Sequence, residues 1–168
     1  MQAIFRKAAL DDVDAIMEIV RDAQQSLGGR GIDQWQNGYP NREAIISDIN
    51  KGVGVVTLMG ETIAAYATII VNGEPEYVNL VGGKWLSQGD YIVVHRICVR
   101  NSFVRKGLAS AIMQYAIDFA LGRNIHSFKI DTHVENQYML NMLSKLGFTY
   151  CGEIHYEHGD RVAYEKVL

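Results

Sequence analysis

Residues 91–133 constrain the fold of this chain most tightly. The run YIVVHRICVR, 91–100, is almost continuously apolar, the pattern of a strand buried on both faces. A polar connection, 101–106, leads to Leu108, Ile112, Ala116 and Phe119 at helical spacing, and Gly122 stops that helix. The run IHSFKIDTH, 125–133, reads as a second strand. Two strands joined through a long helix lie parallel, by a crossover connection. The flanking segments demand the opposite pairing. VGVVTL, 53–58, and TIAAYATIIV, 62–71, enclose the short turn Met59-Gly60-Glu61. FTYCGEIHY and RVAYEKV enclose a turn at Glu157-His158-Gly159-Asp160. Both are hairpin patterns. A parallel crossover and antiparallel hairpins in one chain call for a mixed sheet with helices on both faces.

The remaining segments fit around that sheet. AIFRKA, 3–8, is a short strand. Asp11 reads as an N-cap before Val13, Ile16, Met17, Val20, Ala23 and Leu27, and the helix ends at Gly28-Gly29. A loop with Trp35 and Tyr39 leads to Pro40, after which Asn41 caps a helix to about Lys51. Residues 72–90 read as a polar loop carrying Glu74, Glu76, Tyr77 and Trp85. A last helix is expected over Asn136–Leu146, closed by Gly147. The order is β-α-α-β-β-β-α-β-α-β-β, with no repeat or linker to divide it. We therefore expect one domain over 1–168.

Composition narrows the function. Hydrophobic residues form 48% of the chain and charged residues 21%, which excludes a disordered chain. The net charge of −3 lacks the basic footprint of a nucleic-acid binder. No apolar run reaches the roughly 20 residues of a membrane span, and the first residues lack a secretion-signal layout. Cys98 and Cys151 are too few for a disulfide framework and lack metal-ligand spacing, as do His126, His155 and His158. The expectation is a reduced, cytoplasmic protein with no metal, nucleic-acid or membrane partner.

Chemistry concentrates at the connection between the two parallel strands. Arg105, Lys106 and Gly107 precede a helix opened by the small residues Ala109 and Ser110. A helix start leaves backbone N–H groups without partners at the positive end of its dipole, and a glycine lets an anion approach them. Alone, such a loop is also an ordinary strand-to-helix turn. However, VRKGLA resembles the pyrophosphate loop of the GCN5-related N-acetyltransferase (GNAT) superfamily, Gln/Arg-x-x-Gly-x-Gly/Ala, departing from it at Val104. HVENQYMLNMLSKLGF, 133–148, is similar to that superfamily's Asn-led helix ending in Lys-x-Gly-Phe. The segment order agrees across the chain, and HRICV, IDTHVEN, LGFTYCG and RVAYEK resemble a bacterial subgroup of unassigned substrate.

The resemblance implies an α/β (α+β) fold with a splayed, mixed GNAT-like sheet and acetyl-CoA as acyl donor. It implies that the pantetheine arm pairs with backbone groups of Ile97, Cys98 and Val99, and that the diphosphate rests on the loop Val104, Arg105, Lys106, Gly107, Leu108, Ala109 and Ser110. Asn136 would help hold the pantetheine amide. Homodimerisation through the last strands is a family habit.

Acyl transfer to an amine requires a base, because a free alkylamine is mostly protonated near neutral pH. His95, on the donor-holding strand, is the candidate, as in the arylalkylamine acetyltransferases that carry a histidine there. Asp131 and His133 are expected on one strand face, to complete a relay or hold the substrate ammonium; Asp131 could instead pair with Arg96. A backbone N–H near Cys98 or Val99 would stabilise the oxyanion. Many superfamily members carry a tyrosine at the position of Leu143, so Tyr164 is the candidate proton donor to the thiolate. Cys98 lacks the basic neighbour an acyl-cysteine route needs. Trp35, Tyr39, Tyr77 and Trp85, with Glu74 or Glu76, could wall an acceptor site; they could equally pack the loops or a dimer contact. The leading reading is an N-acetyltransferase acting on a primary amine of a small molecule or peptide by direct attack in a ternary complex. Its rivals are a catalytically weak acyl-CoA sensor or assembly module, and a binding protein that takes no CoA.

Overall fold

The computed structural model describes residues 2–168. The strands are β1 (Ala3–Lys7), β2 (Gly54–Met59), β3 (Thr62–Val71), β4 (Ile92–Val99), β5 (Ser127–Thr132), β6 (Thr149–Tyr156) and β7 (Gly159–Val167). The helices are α1 (Val13–Gly29), α2 (Arg42–Asn50), α3 (Leu108–Leu121) and α4 (Gln137–Lys145). The sheet order is β1-β2-β3-β4-β5-β7-β6, and the expected succession of strands and helices is present. The parallel ladder between β4 and β5 spans Ile92↔Phe128 and Val93↔Lys129.

Contacts divide the chain into two compact units, Met1–Ile69 with His95–Tyr115, and Ile70–Val94 with Ala116–Leu168. In the first, β1, β2 and β3 form an antiparallel meander. Its core gathers Ile16, Ile19 and Val20 of α1 with Ile45, Val56, Tyr66 and Cys98. The helical period puts the α1 residues on one stripe. Asp12, not Asp11, organises the entry to α1. Residues Leu10–Asp12 form a 3-10 turn, and the Asp12 carboxylate accepts from Ala9 N at 2.7 Å and from Arg6 at 2.7 and 2.9 Å. A carboxylate one position later satisfies both a loose amide and a strand arginine. Asn41 caps α2 as expected, accepting from Ala44 N at 2.9 Å.

In the second unit β7 lies between β5 and β6, antiparallel to both. Ile130 lies opposite Tyr164, and Asp131 opposite Ala163. Directly opposed residues share a face, so Asp131 and Tyr164 project to opposite sides of the sheet. Residues 72–90 are more structured than a polar loop, because Pro75–Asn79 form a 3-10 turn. Glu165, fully buried on β7, clamps this segment: it accepts from Leu86 N at 2.6 Å, from Ser87 Oγ, and from Ser127 Oγ of β5 at 2.7 Å.

Candidate active site

The loop before α3 is built to leave amides bare. Asn101–Phe103 make a 3-10 turn fixed to the first unit by Asn101 N donating to Asp22 Oδ2 at 3.0 Å and Arg100 N donating to Ala64 O at 2.8 Å. Arg105 (φ 61°) and Gly107 (φ 79°) then adopt left-handed backbone. The first bond closing α3 runs from Ala111 N to Gly107 O at 3.0 Å. Among the described residues, no backbone or side-chain acceptor takes the amides of residues 105–110. Leu108 is buried and anchors the helix start, while Arg105, Lys106 and Ser110 are exposed. A Cβ at Gly107 would meet nothing within 4 Å, so the space above it is open to a ligand. Bare amides, a helix N-terminus and two exposed cations suit a diphosphate. Val104 is exposed, and the amides around it do not depend on its side chain.

Upstream, β4 carries a break in its alternation. Arg96 sits at φ 58°, and the side chains before and after it no longer follow one two-residue period. Its guanidinium is held by Asp48, with Nη1 donating to both carboxylate oxygens at 2.9 and 3.0 Å, and by the Tyr39 hydroxyl. Tyr66 Oη donates to the same carboxylate at 2.8 Å. Burial raises the Asp48 pKa, and the Arg96 charge opposes that rise. The expected alternative pairing of Arg96 with Asp131 is therefore replaced by one with Asp48, because α2 delivers a buried carboxylate to β4. His95, half-buried, precedes Arg96, and its carbonyl accepts from Thr68 Oγ1 at 3.3 Å. Cys98 is buried beneath β4 and burial pushes its thiol up to about 12, which keeps it a thiol. Ile97 and Val99 flank it, half-exposed. Trp35 packs on the core of this unit, and Tyr39, exposed, lies over Arg96.

In the second unit Asp131 gathers hydroxyls. Tyr77 Oη donates to Asp131 Oδ2 at 2.7 Å and Tyr156 Oη at 3.1 Å. Burial, followed by the Asp131 charge, raises both tyrosine pKa values, so both remain donors. Tyr77 is buried under Trp85, whose Nε1 donates to Tyr77 O at 2.8 Å. Lys129, its pKa lowered by burial, lies 4.6 Å from the Trp85 ring and 4.5 Å from Tyr91. Glu74 caps the 3-10 turn, accepting from Glu76 N at 3.2 Å. Tyr77 thus supports Asp131, and Trp85 packs on Tyr77.

His133 lies one residue beyond the end of β5. The strand β5 ends at Thr132, and His133 Nδ1 accepts from Glu135 N at 3.1 Å in the turn that follows. Asn136 caps α4, accepting from Met139 N at 3.5 Å. Leu143 is fully buried, and Tyr164 packs edge-on against Tyr150, its pKa raised first by burial.

Sequence reading missed Asp48, Tyr66, Tyr156, Lys129 and Glu165. One local signal existed: in SFKID the polar residues Ser127, Lys129 and Asp131 alternate with Phe128 and Ile130, marking a polar face. Asp48, Tyr66 and Tyr156 carry no such signal, since their partners lie far away in the chain.

A model of the acetyltransferase (GNAT) family matches residues 14–148. A GNAT-family acetyltransferase structure from Streptococcus agalactiae 2603 is 36% identical, with a TM-score of 0.90, covering 99% of this chain and 95% of that one. A GNAT-family acetyltransferase from Listeria monocytogenes 4b F2365 shares the fold at 20% identity and a TM-score of 0.78, with coverage of 99% and 95%. The NatC complex bound to Gag peptide and CoA contains a chain with the same fold at 14% identity and a TM-score of 0.70, with coverage of 100% and 99%. No curated protein matches the chain. With 135 of its 168 residues under the family model and a relative above 30% identity along nearly its whole length, the chain belongs to the acetyltransferase (GNAT) family.

Proposed function

We propose that the chain, as one domain over 1–168, moves an acetyl group from acetyl-CoA to a primary amine of a small molecule or peptide. The observation that carries this reading is the run of amides at 105–110, bare and open above Gly107. They and the cations of Arg105 and Lys106 would hold the donor's diphosphate. Ile97, Cys98 and Val99 would offer their backbone to the pantetheine, and Asn136 would assist. The NatC complex, one chain of which shares this fold, is bound to CoA, which supports CoA as the ligand class.

The acceptor nitrogen attacks the thioester carbonyl carbon, so that a C–N bond forms and the C–S bond breaks. His95 would take the proton leaving the nitrogen, directly or through water. A backbone N–H beside Cys98 or Val99 would meet the negative charge growing on the carbonyl oxygen. The departing thiolate takes a proton from water or from a hydroxyl such as that of Tyr164. Holding donor and acceptor together supplies much of the rest.

The test begins with binding. Acetyl-CoA and CoA should both raise the melting temperature, and Gly107→Val should weaken that protection by about tenfold in Kd, because a branched side chain at a left-handed position covers the amides. Thiol release should require an added amine, and His95→Ala should lower kcat by about a hundredfold. Protection without turnover on a broad amine panel would favour the sensor reading. No protection by either ligand would remove CoA from the account.

A further inference from the structure

Among the described residues other than glycine that hold left-handed backbone, Arg96 is the one inside a strand; Trp35, Asn72, Arg105 and Asn124 lie in turns and loops. An ordinary strand residue has φ of about −120° to −140°. At φ 58° Arg96 is rotated by roughly half a turn from that value, which re-aims the peptide unit before it against the one after it. On the near side, the His95 carbonyl is taken by Thr68 Oγ1 at 3.3 Å. On the far side begin Ile97, Cys98 and Val99, the backbone assigned to the pantetheine.

Strain of this kind persists only where the surroundings over-determine it, and it collects at working sites. Two separate segments hold Arg96. From α2, the Asp48 carboxylate accepts Nη1 on both oxygens, and Tyr66 Oη of β3 donates to the same carboxylate at 2.8 Å. From the loop before α2, the Tyr39 hydroxyl accepts from Nη2, and its ring lies 5.4 Å from the guanidinium carbon. Asp48 also lies within electrostatic reach of the candidate base. Burial raises its pKa, and Arg96, the Tyr66 bond, Lys51 and His95 lower it. All these groups belong to the first compact unit.

We infer that Asp48 and Tyr39 are positioning residues for the transfer: by clamping Arg96 they hold β4 in the turned conformation that directs the His95 side chain and the backbone N–H meeting the thioester carbonyl. The inference rests on the acetyl-transfer reading. Each residue acts through Arg96 rather than on the reacting atoms.

The test compares two paired variants, Asp48→Asn with Arg96→Gly and Asp48→Asn with Arg96→Ala. Both remove the two charges together, so neither leaves one buried alone. They differ in the backbone, since glycine enters the left-handed region freely and alanine does not. The probe is acetyl-CoA, isotope-labelled at its thioester carbonyl and bound at saturation. Its infrared carbonyl band falls in frequency when a well-aimed N–H donates to the oxygen, and no acceptor amine is needed. The wild type should lower the band relative to free acetyl-CoA. The glycine pair should keep most of that downshift, and the alanine pair should lose most of it. The melting temperature should not follow, because alanine restricts the unfolded chain more than glycine does, so its pair should melt at or above the glycine pair.

Equal downshifts in the two pairs, or a larger one with alanine, overturn the inference, as does a wild type that binds acetyl-CoA without a downshift. Should neither pair fold, Tyr39→Ala, at an exposed residue, decides: loss of part of the downshift upholds the clamp, and an unchanged band overturns it. A wild type that binds no acetyl-CoA sinks the acetyl-transfer reading and this inference with it, whereas binding with equal bands sinks this inference alone.

Discussion

Arg96 holds a left-handed backbone in the middle of a strand, at φ 58°, a conformation that costs a non-glycine residue about 1–2 kcal/mol. The compensation is its side chain, clamped by Asp48 and Tyr39, although its Nε is buried without a partner. Removing the cation leaves a carboxylate that is only 4% exposed. Arg96→Met should therefore cost about 3–5 kcal/mol in urea denaturation at neutral pH. The pH dependence follows from Asp48. Burial already raises its pKa, and loss of the opposing Arg96 charge raises it further. A carboxyl whose folded pKa exceeds its unfolded value favours folding below the unfolded pKa and loses that advantage as pH rises through the folded one. The deficit of Arg96→Met should thus be smallest in acid, below the ordinary carboxylate range, and largest near neutrality. Neither half of this pair was legible locally, since 48 positions separate the partners and a strand pattern gives no hint of a left-handed residue.

At the scale of elements, the segment 72–90 shows how a polar stretch becomes a fixed wall. One of its attachments is a buried carboxylate, Glu165, that takes Leu86 N, Ser87 Oγ and Ser127 Oγ together, beside the Val81–Glu153 bridge and the Tyr77–Asp131 bond. Glu165→Ala would orphan these donors and should cost about 2–4 kcal/mol. Hydrogen exchange should show the Leu86 and Ser87 amides losing protection while β1–β2 amides keep theirs. The α3 entrance is the contrasting element. There the sequence placed Gly107, the small residues and the apolar stripe, and these suffice to position a helix start, because its dihedrals and hydrogen bonds are local. By contrast, β5 stopped at Thr132 rather than continuing through His133, because the His133 ring accepts the Glu135 amide and starts a turn. Alternation ceases to apply where the strand does.

For the whole molecule, the family assignment makes one thermodynamic demand: a donor that binds only the folded state must stabilise it. At a hundredfold excess over Kd the gain is about 2.7 kcal/mol. For a chain of this size that corresponds to a melting-temperature rise of roughly 5–10 °C, readable by calorimetry. The sequence alone determined the order of strands and helices, the mixed pairing and the loop before α3, because periodicity, turn residues and a glycine at a helix entrance act over a few neighbouring positions. It could not determine which distant charges meet. That Arg96 belongs to Asp48, that Asp131 is aligned by two tyrosines, and that Tyr164 faces away from Asp131 are decided by strand register and by how α2 and the 72–90 segment lie within their own units. Burial makes these pairings selective, since a charge or hydroxyl removed from water must find its partner wherever the fold brings one.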